Sequence, residues 1–288
     1  MNEPLIIIGA GRSGTNMLRD AICKLQGFET WPCDEINYIW KHGNLSKKDD
    51  EFGIEEARPE IKSYIRKKFK IFQKKSEAEN VVEKTCASSL KIPFINEIFP
   101  DARYIFIMRE GRDVTSSAMK RWTAPLEMKY ILKKAKYIPA VDFPYYGLRY
   151  FMNRIKKIFS KEKRLAFWGP IYSGMIDELK TDSLEEVCAK QWKQCVEKAY
   201  TELVKMETSK VFMCTYEDFV NNPKKGMNKL ADFLRIEIKE QELLLAINKV
   251  SNRSVGNYKS NLQGNSLIKV DKVVNPVMVS IYNEIPKL

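Results

Sequence analysis

The sequence holds a single histidine, His42, in 288 residues. A Ser-His-Asp hydrolase would have to run on that one ring, and no Gly-x-Ser-x-Gly turn is present to carry its nucleophile. The six cysteines include no Cys-x-x-Cys pair, so a zinc site of clustered Cys and His is not expected and free thiols are. No apolar run approaches the length of a membrane span. Met1 leads almost at once into an apolar stretch, which leaves no room for a signal peptide, so a cytoplasmic location is expected. No Pro/Gly/Ser-rich linker and no internal repeat divides the chain, and one domain over residues 1–288 is expected.

Charge is plentiful and uneven. The formal net charge is +12, which calls for an anionic partner or a solvated basic surface. Residues 129–164 hold eleven Lys or Arg against Asp142 and Glu162, a net +9 in a stretch also rich in Tyr and Phe. Most of the excess is therefore local. Such a stretch suits an anionic glycan or a headgroup at a membrane surface, and equally a solvated helix face.

The most informative run is Leu5 to Arg19. Leu5 to Ile8 is an unbroken apolar strand signal, and it empties into Gly9, Gly11 and Gly14 before a helical pattern begins. Glycines let backbone N–H groups approach an anion closely, and the helix start points its unsatisfied N–H groups at the same place. A phosphate-bearing ligand follows from this pattern. In a Walker A loop, Gly14 would be followed by Lys and then Ser or Thr; here Thr15 and Asn16 stand there. The cation lies inside the loop, at Arg12, where a planar fork can grip an oxyanion without metal.

Further strands are expected at Phe28 to Cys33, Val81 to Lys84, Arg103 to Met108 and Val211 to Thr215. Helices are expected over 55–77, 90–99, after Asp113, and over 184–207, 223–234 and 239–250. The implied fold is α/β, a P-loop-like parallel sheet flanked by helices, with a mostly helical insertion over about 122–180. Residues 252–267 read as a long loop. In open parallel sheets ligands gather at the carboxyl ends of strands, so Gly14, Lys84 and Arg109 can converge. Arg109 at a strand end and Ser117 two turns into the next helix can reach one phosphate.

These residues resemble the sulfotransferases that use 3′-phosphoadenosine 5′-phosphosulfate (PAPS). Gly9-Ala-Gly-Arg-Ser-Gly-Thr-Asn16 is similar to their 5′-phosphosulfate loop, and Arg109 with Ser117 to their 3′-phosphate site. Tyr216-Glu-Asp-Phe, Asn222-Pro, Phe233-Leu234, Trp168-Gly-Pro and Ser254-Val-Gly-Asn-Tyr-Lys259 are similar to bacterial members. The resemblance spans residues 5 to about 260. It implies in-line transfer of a sulfuryl group from PAPS to a hydroxyl or amine, as in the family class EC 2.8.2, with no metal. Gly11, Arg12, Ser13, Gly14, Thr15, Asn16, Arg109, Ser117, Ser254, Gly256, Tyr258 and Lys259 would bind the donor. Arg12 and Lys84 would stabilise charge on the transferred group and leaving phosphate.

The base is where subfamilies divide. Cytosolic small-molecule members carry a histidine after their Lys-Thr pair, whereas Lys84-Thr85 is followed here by Cys86. Heparan sulfate sulfotransferases use a glutamate between loop and Lys-Thr strand, and Asp34-Glu35-Ile36-Asn37-Tyr38 resembles that segment. Glu35 is the expected base and His42 the fallback. The acceptor stays open: a glycan, a lipid or a small metabolite, with peripheral membrane contact compatible and nucleic acid not expected. Two other readings remain, a P-loop nucleotide or metabolite kinase and a non-enzymatic polyanion-binding protein.

Overall fold

The computed structural model describes residues 3–124, 136–148, 151–152, 165 and 167–288. Five parallel strands form one sheet: β1 (Leu5–Ile8), β2 (Phe28–Thr30), β3 (Asn80–Lys84), β4 (Arg103–Met108) and β5 (Val211–Thr215). Their order is β2-β3-β1-β4-β5, and the register sets Ile7 beside Lys84 and Met108 beside Thr215. The carboxyl ends of β1, β3, β4 and β5 therefore finish along one edge, and that edge carries the site.

Both faces of the sheet are covered, which is why β1 and, after Arg103, β4 run apolar rather than alternating. Their side chains still divide by the two-residue period of a strand. Leu5, Ile7, Ile105 and Ile107 join one core cluster, and Ile6, Ile8, Tyr104, Phe106 and Met108 the other. Each such burial contributes about 1.5–3 kcal/mol relative to an exposed side chain. The first cluster packs on α1 (Thr15–Ile22). The second lies under α2 (Asn37–Trp40), α3 (Pro59–Ser76), α4 (Ile92–Ile98) and α5 (Gly111–Thr123). In α3, Ile61, Ile65 and Phe69 recur every four residues and are the buried face.

After α5 come α6 (Met175–Thr181) and α7 (Leu184–Leu203), the latter opened by a capping box between Ser183 and Glu186. Beyond β5 lie α8 (Tyr216–Asn221), α9 (Pro223–Leu234), α10 (Glu240–Ile247), α11 (Tyr258–Asn261) and α12 (Gly264–Ser280). The expected loop over 252–267 is thus shorter than the sequence suggests. Val270, Val274 and Val277 of α12 are buried at helical spacing against the second cluster. Tertiary packing of that face overrides the poor intrinsic helix preference of β-branched side chains. Among the described residues no helix is long and apolar enough to cross a membrane.

Candidate active site

The glycine-rich turn joins β1 to α1, and two of its glycines have no substitute. A Cβ on Gly9 would lie 2.7 Å from the Ile107 carbonyl oxygen and 2.8 Å from Thr15 Cγ2. Gly14, the residue before α1, has φ +91°, and a Cβ there would fall 2.4 Å from the Tyr216 ring. Arg12 also adopts a left-handed conformation, φ 77°, without being glycine. Such backbone is uncommon for a long side chain and points to a local demand. Here the demand is visible: the Arg12 Nε donates to Ser117 Oγ of α5 at 3.0 Å.

The turn forms one side of a cleft of about 570 Å³ at the carboxyl edge of the sheet. Of the residues expected to hold the donor, Gly11, Arg12, Gly14, Thr15, Asn16, Arg109, Ser117 and Ser254 line it. Ser13, Gly256, Tyr258 and Lys259 do not: Ser13 is buried beneath the turn and Lys259 is exposed. Gly256 and Tyr258 have a different task. Their backbone N–H groups donate to the two oxygens of Asp113 at 2.7 and 2.8 Å, which straps residues 254–258 onto α5.

That strap brings Ser254 beside Arg109. The Arg109 guanidinium donates to the Ser254 carbonyl at 2.6 Å and the Arg12 carbonyl at 3.2 Å, and lies 4.4 Å from the centre of the Tyr216 ring. Tyr216 OH meets Ser254 Oγ at 2.8 Å. The Arg109 Nε is buried with no hydrogen-bond partner among the described residues. A guanidinium N–H left in that state is costly unless an acceptor arrives, and a bound oxyanion is such an acceptor. Burial lowers the Arg12 proton affinity, and Arg121 and Arg109 add to the effect.

A second wall is made where β3 ends. Lys84 Nζ lies 2.9 Å from Asp34 Oδ1 and 3.3 Å from Glu35 Oε1. The backbone N–H of Cys86 also donates to Glu35 Oε1 at 3.3 Å, and that of Ile36 donates to Thr85 Oγ1 at 3.1 Å. Lys84 is only 1% exposed, whereas Asp34 and Glu35 keep 26% and 25% of their side-chain surface. Burial alone would raise the Asp34 carboxyl, but Lys84 and Arg19 outweigh it and hold it well below the usual range. Burial would likewise lower the Lys84 ammonium, and Glu35 and Asp34 overcome that and raise it. Lys84 is therefore a fixed cation at neutral pH. Cys86, which follows the Lys84-Thr85 pair, is buried in the wall of the cleft, and its thiol is pushed up first by that burial and then by Glu35.

His42 does not line the cleft. Its Nδ1 is 2.8 Å from Asp142 Oδ2 and its ring lies 3.9 Å from that of Tyr64. The cleft also takes in residues given no site role from the sequence: Asp34, Asn37, Tyr216 and Asn257, within the motifs that carry the resemblance, and Asp113, Lys120, Arg121 and Asn261. Lys120 and Arg121 carried a usable signal, lying one turn beyond Ser117 on the same helix. Trp168, Gly169 and Pro170 close the remaining side, Trp168 against Gly11, with Gln191 Nε2 donating to the Trp168 and Pro170 carbonyls at 2.8 and 2.7 Å. Among the described residues no cluster of His, Cys, Asp and Glu is arranged to hold a metal.

No curated protein matches the chain by sequence. Solved structures do match in fold. The sulfotransferase domain from the curacin biosynthetic pathway is 13% identical with a TM-score of 0.56, covering 94% of this chain and 97% of that one. Sulfotransferase STF9 from Mycobacterium avium is 11% identical with a TM-score of 0.55, over 99% of this chain and 78% of that one. Mouse sulfotransferase SULT7A1, solved complexed with PAP, is 11% identical with a TM-score of 0.50, over 98% and 85%. Residues 2–274 match the family model described as the sulfotransferase domain, and because that match runs through both walls of the cleft and every strand of the sheet, the chain belongs to the sulfotransferase domain family.

Proposed function

We propose that the protein transfers a sulfuryl group from PAPS to a hydroxyl or amine of its acceptor, with Glu35 as the base. The observation that carries this reading is the meeting of Lys84 and Glu35, 3.3 Å apart, in the same cleft as the Arg12 turn and the Arg109–Ser117 pair. The donor, when bound, supplies an activated sulfuryl group on a phosphate leaving group. The residues of the chain fit that ligand. The turn offers backbone N–H groups and a helix start to one anionic end, and the partnerless Arg109 Nε with Ser117 offers donors to a second phosphate.

Glu35 accepts the proton of the attacking group. It touches Lys84, which would weaken it as a base, but a quarter of its side-chain surface stays exposed where it lines the cleft, within reach of an attacking group. Lys84 and Arg12 stabilise the charge that develops during transfer, and because both stay protonated neither is needed as an acid. Asp34, held between Lys84 and Arg19, orients Lys84. Trp168 and Pro170 exclude water from one side of the cleft. The acceptor carries a hydroxyl or amine; the cations at the cleft suit an anionic or carbohydrate molecule.

Calorimetric titration with adenosine 3′,5′-bisphosphate tests the reading. Binding should need no Mg²⁺ and should weaken roughly 10- to 100-fold in Arg109→Ala, the value of one or two charge-assisted hydrogen bonds. Glu35→Gln should bind the bisphosphate as wild type does while losing turnover with PAPS. Mg²⁺-dependent ATP binding without bisphosphate binding would reject the proposal in favour of a kinase.

A further inference from the structure

Most of the basic stretch 129–164 lies outside the described residues, whereas a second cavity, of about 410 Å³, is formed wholly by described ones. That volume is within the range of sites that hold small molecules. The turn Cys86–Leu90 separates it from the cleft: Cys86 and Ala87 line the cleft, and Ser89 and Leu90 line the second cavity. One wall is a face of α7, on which Gln194, Glu197, Lys198, Thr201 and Glu202 recur at helical spacing. Another is drawn from the segment between Lys47 and Glu55, and the apolar lining comes from Phe52, Leu90, Ile92 and Pro93.

Two independent features of this lining point to a ligand. The first is charge. Four carboxylates, Glu51, Glu55, Glu197 and Glu202, face two ammonium groups, Lys47 and Lys198, in a chain whose net charge is +12. Both ammonium groups are already paired, Lys198 with Glu51 Oε2 at 2.6 Å and Lys47 with Glu56 Oε1 at 2.6 Å. The carboxylates are matched less well. Among the described residues Glu197 pairs with Lys193 at 3.8 Å, and Glu55 has no ion-pair partner. The second feature is Ser89. It is 1% exposed, it lines the cavity, and its Oγ is buried with no hydrogen-bond partner among the described residues. A buried hydroxyl is ordinarily satisfied, and a polar ligand in the cavity would satisfy this one.

We propose that this cavity binds an aliphatic di- or polyamine. In such a molecule ammonium groups are separated by short methylene runs, which suits carboxylates set around an apolar lining, and its N–H groups are donors for Ser89 Oγ. Other ligands fit less well. An anion would be repelled by the carboxylates, and a wholly apolar molecule would leave Glu55 and Ser89 Oγ without partners. A metal ion fits poorly too, because among the described residues no cluster of His, Cys, Asp and Glu is arranged to hold one. The site uses no residue of the cleft and stands apart from the sulfuryl-transfer reading.

Calorimetric titration of the full chain with spermidine at low salt, without nucleotide, tests the proposal. One spermidine should bind, and its affinity should fall about tenfold in Glu55→Gln with Glu197→Gln, the value of two partly exposed ion pairs. Ser89→Ala should weaken binding about two- to tenfold, the value of one hydrogen bond. Its melting temperature should not fall, because the free protein has no hydrogen bond there to lose. Melting temperatures also report that each variant folds. Glu35→Gln, in the cleft, should bind spermidine as wild type does, and Mg²⁺ at equal ionic strength should not displace the amine. Absence of spermidine binding, unchanged affinity in either folded cavity variant, or displacement by Mg²⁺ overturns the proposal. Loss of binding in Glu35→Gln also overturns it and places the amine in the cleft instead.

Discussion

Lys84 with Asp34 and Glu35, and Lys41 and Lys91 with Asp50, are clusters of the same residue types within one fold, and their surroundings give them opposite properties. In the first, one buried lysine is shared by two carboxylates that keep about a quarter of their surface open to the cleft. In the second, two buried lysines share one buried carboxylate. Asp50 accepts from Asn37 Nδ2 at 2.9 Å and from the Ile171 N–H at 2.8 Å, with Lys41 at 3.3 Å and Lys91 at 3.7 Å. Lys91 Nζ donates to Asn37 Oδ1 at 2.8 Å and sits 4.7 Å from the centre of the Phe52 ring.

The electrostatic outcomes diverge accordingly. Excess negative charge raises the Lys84 ammonium, whereas burial pulls Lys91 down to about 8 because its half share of Asp50 does not offset desolvation. A buried lysine with surplus carboxylate beside it stays a cation in the cleft wall. A sealed lysine short of carboxylate is structural. What it holds matters for the site: the Asp50 N–H donates to the Ile171 carbonyl and the Asp50 carboxylate accepts from the Ile171 N–H, next to the Trp168–Pro170 wall, and Asn37 lines the cleft two residues from Glu35.

The sharpest way to break this comparison is to cross the readouts. Asp50→Ala leaves two buried ammonium groups without their carboxylate and should cost about 3–5 kcal/mol of stability, read by urea denaturation. The folded fraction should keep most of its bisphosphate affinity. Lys84→Met should do the reverse, lowering kcat about 10²- to 10³-fold while the melting temperature stays near that of wild type, since Asp34 keeps Arg19. A large stability loss in Lys84→Met with unaltered kcat would erase the distinction between the clusters.

A smaller effect comes from Glu83, one residue before Lys84 and on the sealed side of the strand end. Burial pushes its carboxyl from 4.5 up to about 7. Between those values the folded protein binds more protons than the unfolded chain, so stability falls as pH rises from about 4.5 to about 7. Glu83→Gln removes that dependence. The melting temperature of the variant should gain on wild type by about 6–12 °C across this window, since a carboxyl raised from 4.5 to about 7 is worth roughly 3 kcal/mol and each kcal/mol moves a large domain by about 2–4 °C. Parallel pH profiles for the two proteins would place the Glu83 carboxylate in water and overturn the prediction.

How much was legible in the sequence differs between these same regions. The turn from Gly9 to Gly14 announced itself because its demands are local. An apolar run must be a buried strand, and only glycine fits against Ile107 and Tyr216. Lys84 and Arg109 were visible for a related reason, each following an apolar strand whose carboxyl end must face the ligand edge. Glu35 needed the family resemblance, since nothing local distinguishes it from Asp34. Its contact with Lys84 depends on the chain returning across β3. The Asp50 cluster gave no signal at all, because its partners come from residues 37, 41, 91 and 171 and its meaning lies in burial.

The sequence by itself determined a parallel α/β sheet with a glycine-rich turn between its first strand and first helix, because strand burial, glycine backbone freedom and helix starts are properties of neighbouring residues. Tertiary structure alone decided which carboxylates stay open. It also decided that His42 is held by Asp142 away from the cleft, that Asp113 straps residues 254–258 against Arg109, and that the valines of α12 form a helix. Those outcomes depend on desolvation and on contacts between distant segments, and neither is a property of any short stretch of chain.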